Sequence, residues 1–216
     1  MLASMDTLHV ALLPLALFIF VASVTPGPNN LLLMRSGAHF GIRRSTGHIL
    51  GIQLGCMLLL VLCWLGVGAM LLALPGVFQL LRWACFAYLL WLAASILADA
   101  RAKAAPRDAP AAPARKAGPA GRPMHWYEAS MFQLINPKAW MMAITMASAF
   151  YGAQAPQAVD IALAALAWVA IGTPSMLAWT VWGASIDRVL RRPRERQVYA
   201  WGMAAAVAAT AVWMLR

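Results

Sequence analysis

Apolar residues in this chain come in long unbroken stretches, and the polar residues gather between them. A helix that crosses the hydrocarbon core needs about 20 apolar residues. Six stretches meet or approach that length: Leu8–Met34, Thr46–Leu74, Gly76–Ala98, Met124–Tyr151, Gln157–Ala184 and Val198–Leu215. The pattern predicts an all-α integral membrane protein with six transmembrane helices. Two of the stretches contain an interruption. The first run has no charged residue but holds Thr25-Pro26-Gly27-Pro28-Asn29-Asn30, and the fourth holds Asn136-Pro137-Lys138. Proline removes a backbone donor and clashes with the carbonyl one turn earlier, so both helices must break.

The stretch Asp99–Pro123 is rich in Ala, Pro, Gly, Lys and Arg, has no apolar periodicity, and reads as a mobile linker. It separates residues 1–98 from residues 124–216, each half carrying three expected spans and opening on a broken helix. Three is odd, so the halves must run in opposite senses through the bilayer, which predicts two inverted three-helix repeats. Lys and Arg side chains set the orientation. Fourteen of the seventeen lie after the first span, in the linker, or after the fifth span. Arg82 and Arg216 are on the other side, and Lys138 is inside a span. The positive-inside rule then places the linker in the cytoplasm and both termini in the periplasm.

Composition agrees with a bilayer protein: 62% of residues are hydrophobic and 11% charged, with ten tryptophans. The net charge of +10 is spread over short loops rather than a patch, which argues against a nucleic-acid partner. Cys56, Cys63 and Cys85 each fall in an apolar run without a CxxC pattern, so they read as small core residues rather than disulfide or metal ligands. The first run lacks a basic leader, which predicts a retained span rather than a cleaved signal.

Chemistry concentrates at a few positions. Gly47, Gly51 and Gly55 recur every four residues and line one helix face, a pattern for close helix packing. His48 and Gln53 on the same helix are polar in lipid and should face the interior. His48 has two readings, a proton relay or an interfacial histidine near the cytoplasm, and the second is preferred. Lys138 has no carboxylate in its own helix nearer than Glu128, about 15 Å away at helical rise. A lone ammonium at mid-membrane costs at least about 3 kcal/mol, so it must snorkel, lose its proton or meet a mobile anion. Asn136 before Pro137 has the form of an N-cap with a first-turn proline. That half-helix, and the one starting near Asn29, would turn positive ends on a carboxylate. Carbonyls freed by the prolines, with Asn30 and Gln133, would hold an ammonium group. No acid lies deep in a span, which favours a neutral cargo. The kink at Pro174 carries no function in this reading.

Pro26-Gly27-Pro28-Asn29-Asn30, Gly37 through Gly41-Ile42-Arg43-Arg44, and Phe132-Gln133-Leu134-Ile135-Asn136-Pro137-Lys138-Ala139 resemble the signatures of the LysE/RhtB amino-acid exporters. Ala87-Tyr88-Leu89-Leu90-Trp91-Leu92 is similar to that family's third span. The resemblance covers nearly the whole chain apart from the linker. It implies a bacterial inner-membrane exporter of small amino acids or derivatives driven by the proton motive force, with no cofactor; a homo-oligomer is compatible with it. The cargo site is then expected at Pro26, Gly27, Pro28, Asn29, Asn30, Gln133, Asn136, Pro137 and Lys138, with Lys138 and His48 as candidates for proton coupling. The homoserine, threonine, leucine and cysteine/O-acetylserine branches fit the neutral cargo. A divalent-cation exporter would need clustered soft or acidic ligands. An intramembrane enzyme would need a nucleophile with its base or a carboxylate pair. A non-transporting scaffold would leave Lys138 and both breaks without a role.

Overall fold

In a computed structural model, residues 2–104, 122–149, 158–190 and 192–215 are described. They form nine helices: α1 (Leu2–Val24), α2 (Pro28–Arg44), α3 (Thr46–Trp64), α4 (Val67–Ala73), α5 (Pro75–Ala104), α6 (Trp126–Ile135), α7 (Pro137–Ala149), α8 (Ala158–Val189) and α9 (Pro193–Trp213). Both interruptions read from the sequence are real helix ends. α2 starts on Pro28 after an extended Gly27, and α1 and α2 meet at 55°. Asn136 separates α6 from α7, which starts on Pro137. Proline suits the first helical position because its missing donor would have no partner there.

Three helical stretches, Thr46–Trp64, Pro75–Ala98 and Ile161–Ile186, are long and apolar enough to cross a membrane, or up to four if the bent pair α1 and α2 counts as one. The chain is therefore an all-helical membrane protein with three to four candidate spans by this standard. The six runs of the sequence pattern exceed that number for local reasons. α6 and α7 have only 10 and 13 residues, and the first turn of α9 carries Arg194, Glu195 and Arg196.

Two boundaries differ from expectation. The run Thr46–Leu74 is not one helix: it divides at Gly66, whose φ of +90° is left-handed and open to glycine without a Cβ penalty. α5 runs six residues into the expected linker, to Ala104, since Ala, Arg and Lys favour helix as long as no proline intervenes. Residues 105–121 of that linker lie outside the described residues. α8 continues through Pro174.

Packing explains the small residues. A Cβ on Gly51 would strike the Trp126 carbonyl, and one on Gly55 would meet Ser130 and Gln133, so α3 and α6 touch backbone to backbone. Gly47 faces open space, which shortens the expected stripe to two residues. A neighbouring face of α3 exposes Leu50, Leu54, Leu58 and Val61, as a lipid-facing surface would. A second close contact joins α2 to α8, where a Cβ on Gly37 would hit the Thr180 carbonyl and one on Gly183 the Met34 carbonyl. The most extensive helix pairings are α2 with α8, α5 with α9, and α3 with α6. At the start of α6, Glu128 accepts from Arg122 at 2.6 Å and from the His125 backbone at 2.8 Å.

Candidate functional site between the two broken helices

The prolines leave backbone groups that must be satisfied. Pro26 and Pro28 cannot donate to the Ala22 and Val24 carbonyls. The end of α1 is held instead by side chains. Asn30 Nδ2 donates to the Ser23 carbonyl at 2.7 Å and the Thr25 carbonyl at 2.9 Å. Lys138 Nζ, from the other break, donates to the Thr25 carbonyl at 2.8 Å and reaches the Pro26 carbonyl at 3.5 Å. This is a fourth fate for the ammonium, beyond snorkelling, proton loss or a mobile anion. It rests on the negative end of α1, where a cation is favoured.

The second break is satisfied locally. Asn136 Oδ1 accepts from the Lys138 backbone N–H at 3.2 Å, which is the N-cap contact expected of it. That N–H is thereby turned from the Leu134 carbonyl, which accepts from the Trp140 indole at 2.9 Å instead. Gln133 joins the breaks. Its amide exchanges hydrogen bonds with that of Asn29 at 2.9 and 3.1 Å, and Asn136 Nδ2 donates to it at 3.3 Å. Gln133 also donates to the Ala129 carbonyl at 2.8 Å, so a fully buried side chain has its polar atoms engaged.

A cavity lies where these ends meet. Gly27, Pro28, Asn29 and Asn30 line it from the first break, and Asn136 and Lys138 from the second. Gln133 is behind this wall and positions Asn29 and Asn136. Pro137 is buried at the start of α7, and exposed Pro26 contributes its carbonyl to Lys138. The space measures about 40 Å³ for the centres of water-sized molecules, room for about three waters at roughly one per 10–15 Å³.

His48 does not belong to this cavity. It is buried near the start of α3, and its Nδ1 has no hydrogen-bond partner. Gln53 faces the interior as expected and donates to Thr173 Oγ1 at 2.6 Å. Cys63 and Cys85 are free and buried in the apolar cores, while Cys56 also borders the cavity. The sequence reading did not include Ala22, Ser23, Ile52, Ala139, Met142, Trp168 and Met176, which complete the lining. Ser23 and Ala139 adjoin the broken motifs and were within reach of it. Nothing in the pattern separates Trp168 or Met176 from other apolar residues of α8.

Among proteins of known activity, the chain is 27% identical over 176 residues to cysteine/O-acetylserine efflux proteins of Escherichia coli and Shigella sonnei, covering 81% of this chain and 83% of theirs. No solved structure matches it. The LysE type translocator family model matches residues 20–215, a range that takes in both breaks and the cavity between them. The chain therefore belongs to the LysE type translocator family, and is a transporter rather than an enzyme.

Proposed function

We propose that this translocator is a secondary exporter of small, neutral amino acids or their derivatives across the bacterial inner membrane, coupled to the proton motive force. The observation that carries this reading is the meeting of two helix N-termini and Lys138 on one small cavity beside the carbonyl end of α1. The starts of α2 and α7 and the ammonium favour a carboxylate. The Ala22 carbonyl, which Pro26 cannot serve, belongs to a lining residue and would accept from the cargo's ammonium. On arrival of a carboxylate, Lys138 exchanges the Thr25 and Pro26 carbonyls for it, so the charge stays partnered in both states. None of the lining residues is acidic, which suits a neutral cargo. The name of the cysteine/O-acetylserine efflux relatives points to the same class. Lys138, at the cargo site, is the stronger of the two candidates for carrying the coupled proton, ahead of His48.

The arrangement of contacts supports two inverted three-helix repeats on either side of the basic linker. α3, from the first half, packs on broken α6 and α7, and α8, from the second half, packs on broken α1 and α2. The last helices of the halves, α5 and α9, pack on each other. Exchanging the halves leaves this pattern unchanged. With the basic asymmetry, it supports a linker in the cytoplasm and both termini in the periplasm.

A panel of amino acids, fed as dipeptides to an export-deficient strain expressing the chain, tests the reading. A fall in the internal level of cysteine, O-acetylserine, homoserine, threonine or leucine is the expected outcome. If no level responds while cadmium tolerance rises, the cation-exporter alternative replaces it.

A further inference from the structure

The cavity has a second kind of lining, away from the broken ends. Ile52 and Cys56 of α3, Met142 of α7, and Trp168 and Met176 of α8 make a soft, apolar surface. One of these lining residues carries a buried, unpartnered N–H. Trp168 is only 5% exposed, and its indole N–H has no hydrogen-bond partner. Buried indole donors ordinarily find an acceptor, as Trp140 does in the Leu134 carbonyl at 2.9 Å. The side chains sharing the lining with Trp168 on this surface are hydrocarbon, thioether or thiol, and none of them accepts from it.

We propose that Trp168 reads the cargo's side chain, its indole N–H selecting short side chains that carry an oxygen or sulfur acceptor over alkyl chains of the same size. This deepens the exporter reading and rests on it. The broken ends would engage the α-carboxylate and α-ammonium common to all amino acids, and so cannot discriminate among them. A donor in an otherwise apolar surface can, because an alkyl cargo leaves it buried and unmet. The limited volume, room for about three waters, restricts the choice to short chains.

The test uses full-length protein in lipid nanodiscs and two nearly isosteric pairs, L-homoserine with L-norvaline and L-cysteine with L-2-aminobutyrate. In the original protein, the acceptor-bearing member of at least one pair should bind about tenfold more tightly or better. Trp168→Phe keeps an aromatic ring without the N–H. It should bring that ratio to within about twofold, because the acceptor-bearing member loses more affinity than its alkyl twin. A ratio preserved in the variant overturns the inference and leaves the exporter reading standing. Failure of all four compounds to bind the original protein overturns the inference, and the exporter reading falls with it only if O-acetylserine, threonine and leucine do not bind either. Should the variant not fold, the assigned indole ¹⁵N–¹H signal of Trp168 in the original protein decides. It should move downfield with the acceptor-bearing ligand and not with its alkyl twin, and equal movement with both overturns the inference.

Discussion

The ammonium of Lys138 sits on carbonyls contributed by the other broken helix, so replacing it changes stability and cargo binding through different contacts. Lys138→Met removes a charge that costs about 3 kcal/mol or more in the bilayer. It also removes hydrogen bonds from a charged donor, worth about 1.5–3 kcal/mol. These nearly cancel, and the thermal midpoint of the purified variant should stay within about 5 °C of the original. Counterflow should nevertheless fall about a hundredfold or more, since losing one partner of a buried charge pair costs about 3–5 kcal/mol. Lys138→Arg keeps the charge and should retain part of the counterflow. If Lys138 also carries the proton, Arg will lose proton-driven net export, because arginine does not release its proton. Full transport by the Met variant at normal expression would remove Lys138 from the cargo site. Gln133 should behave in the opposite way. Gln133→Leu leaves the part-buried amide of Asn29 and the buried amide of Asn136 without this partner, a cost of about 2–6 kcal/mol at 1–3 kcal/mol per group. Its thermal midpoint should drop clearly, and an unchanged midpoint would mean the amide chain does not hold the breaks together.

At the scale of elements, close backbone contact and broken helices make separate predictions. Gly51 meets the Trp126 carbonyl, whereas Gly47 on the same helix meets nothing within 4 Å. Gly51→Leu should therefore abolish folding or transport while Gly47→Leu leaves both near normal, as read by expression and thermal stability. Equal behaviour would separate α3 from α6. Gly66 is no neutral control for this comparison, because its left-handed backbone strains any side-chain-bearing residue. Replacing both Pro26 and Pro28 with Ala restores N–H donors aimed at the Ala22 and Val24 carbonyls. The double variant should insert at least as well as the original, since freed backbone groups are costly in a membrane. Its export should fall because the Ala22 carbonyl is then occupied by its own helix. Normal export from a well-inserted double variant would show that the freed carbonyl takes no part.

For the whole molecule, the proposed opposed orientation of the halves is open to direct measurement. The fourteen-to-two distribution of basic residues predicts that a reporter inserted near Gly118 reads cytoplasmic and one fused after Arg216 reads periplasmic. A cytoplasmic reading after Arg216 would leave an odd number of crossings and remove the inverted arrangement. The contact pattern bears on the cavity as well: α3 and α8 each pack on the broken helix of the other half, so neither half can complete the cavity alone.

Class, helix breaks and six of the fourteen residues that line the cavity follow from the sequence because they depend on short-range chemistry. Apolar runs of about 20 residues prefer the bilayer whatever they later pack against, and proline lacks a donor in every context. Gly27, Pro28, Asn29, Asn30, Asn136 and Lys138 were recognisable for that reason, and the structure brings all six to one cavity. Pairings across the chain are another matter. The acceptor of Lys138 lies 113 residues away in the chain, and Gly37 gains its meaning only from Thr180 on α8. Trp168 looks like any other apolar residue of its helix until its neighbours are known. Those choices fell to the tertiary structure, because which surfaces meet depends on the packing of entire helices, and no local pattern encodes the partner.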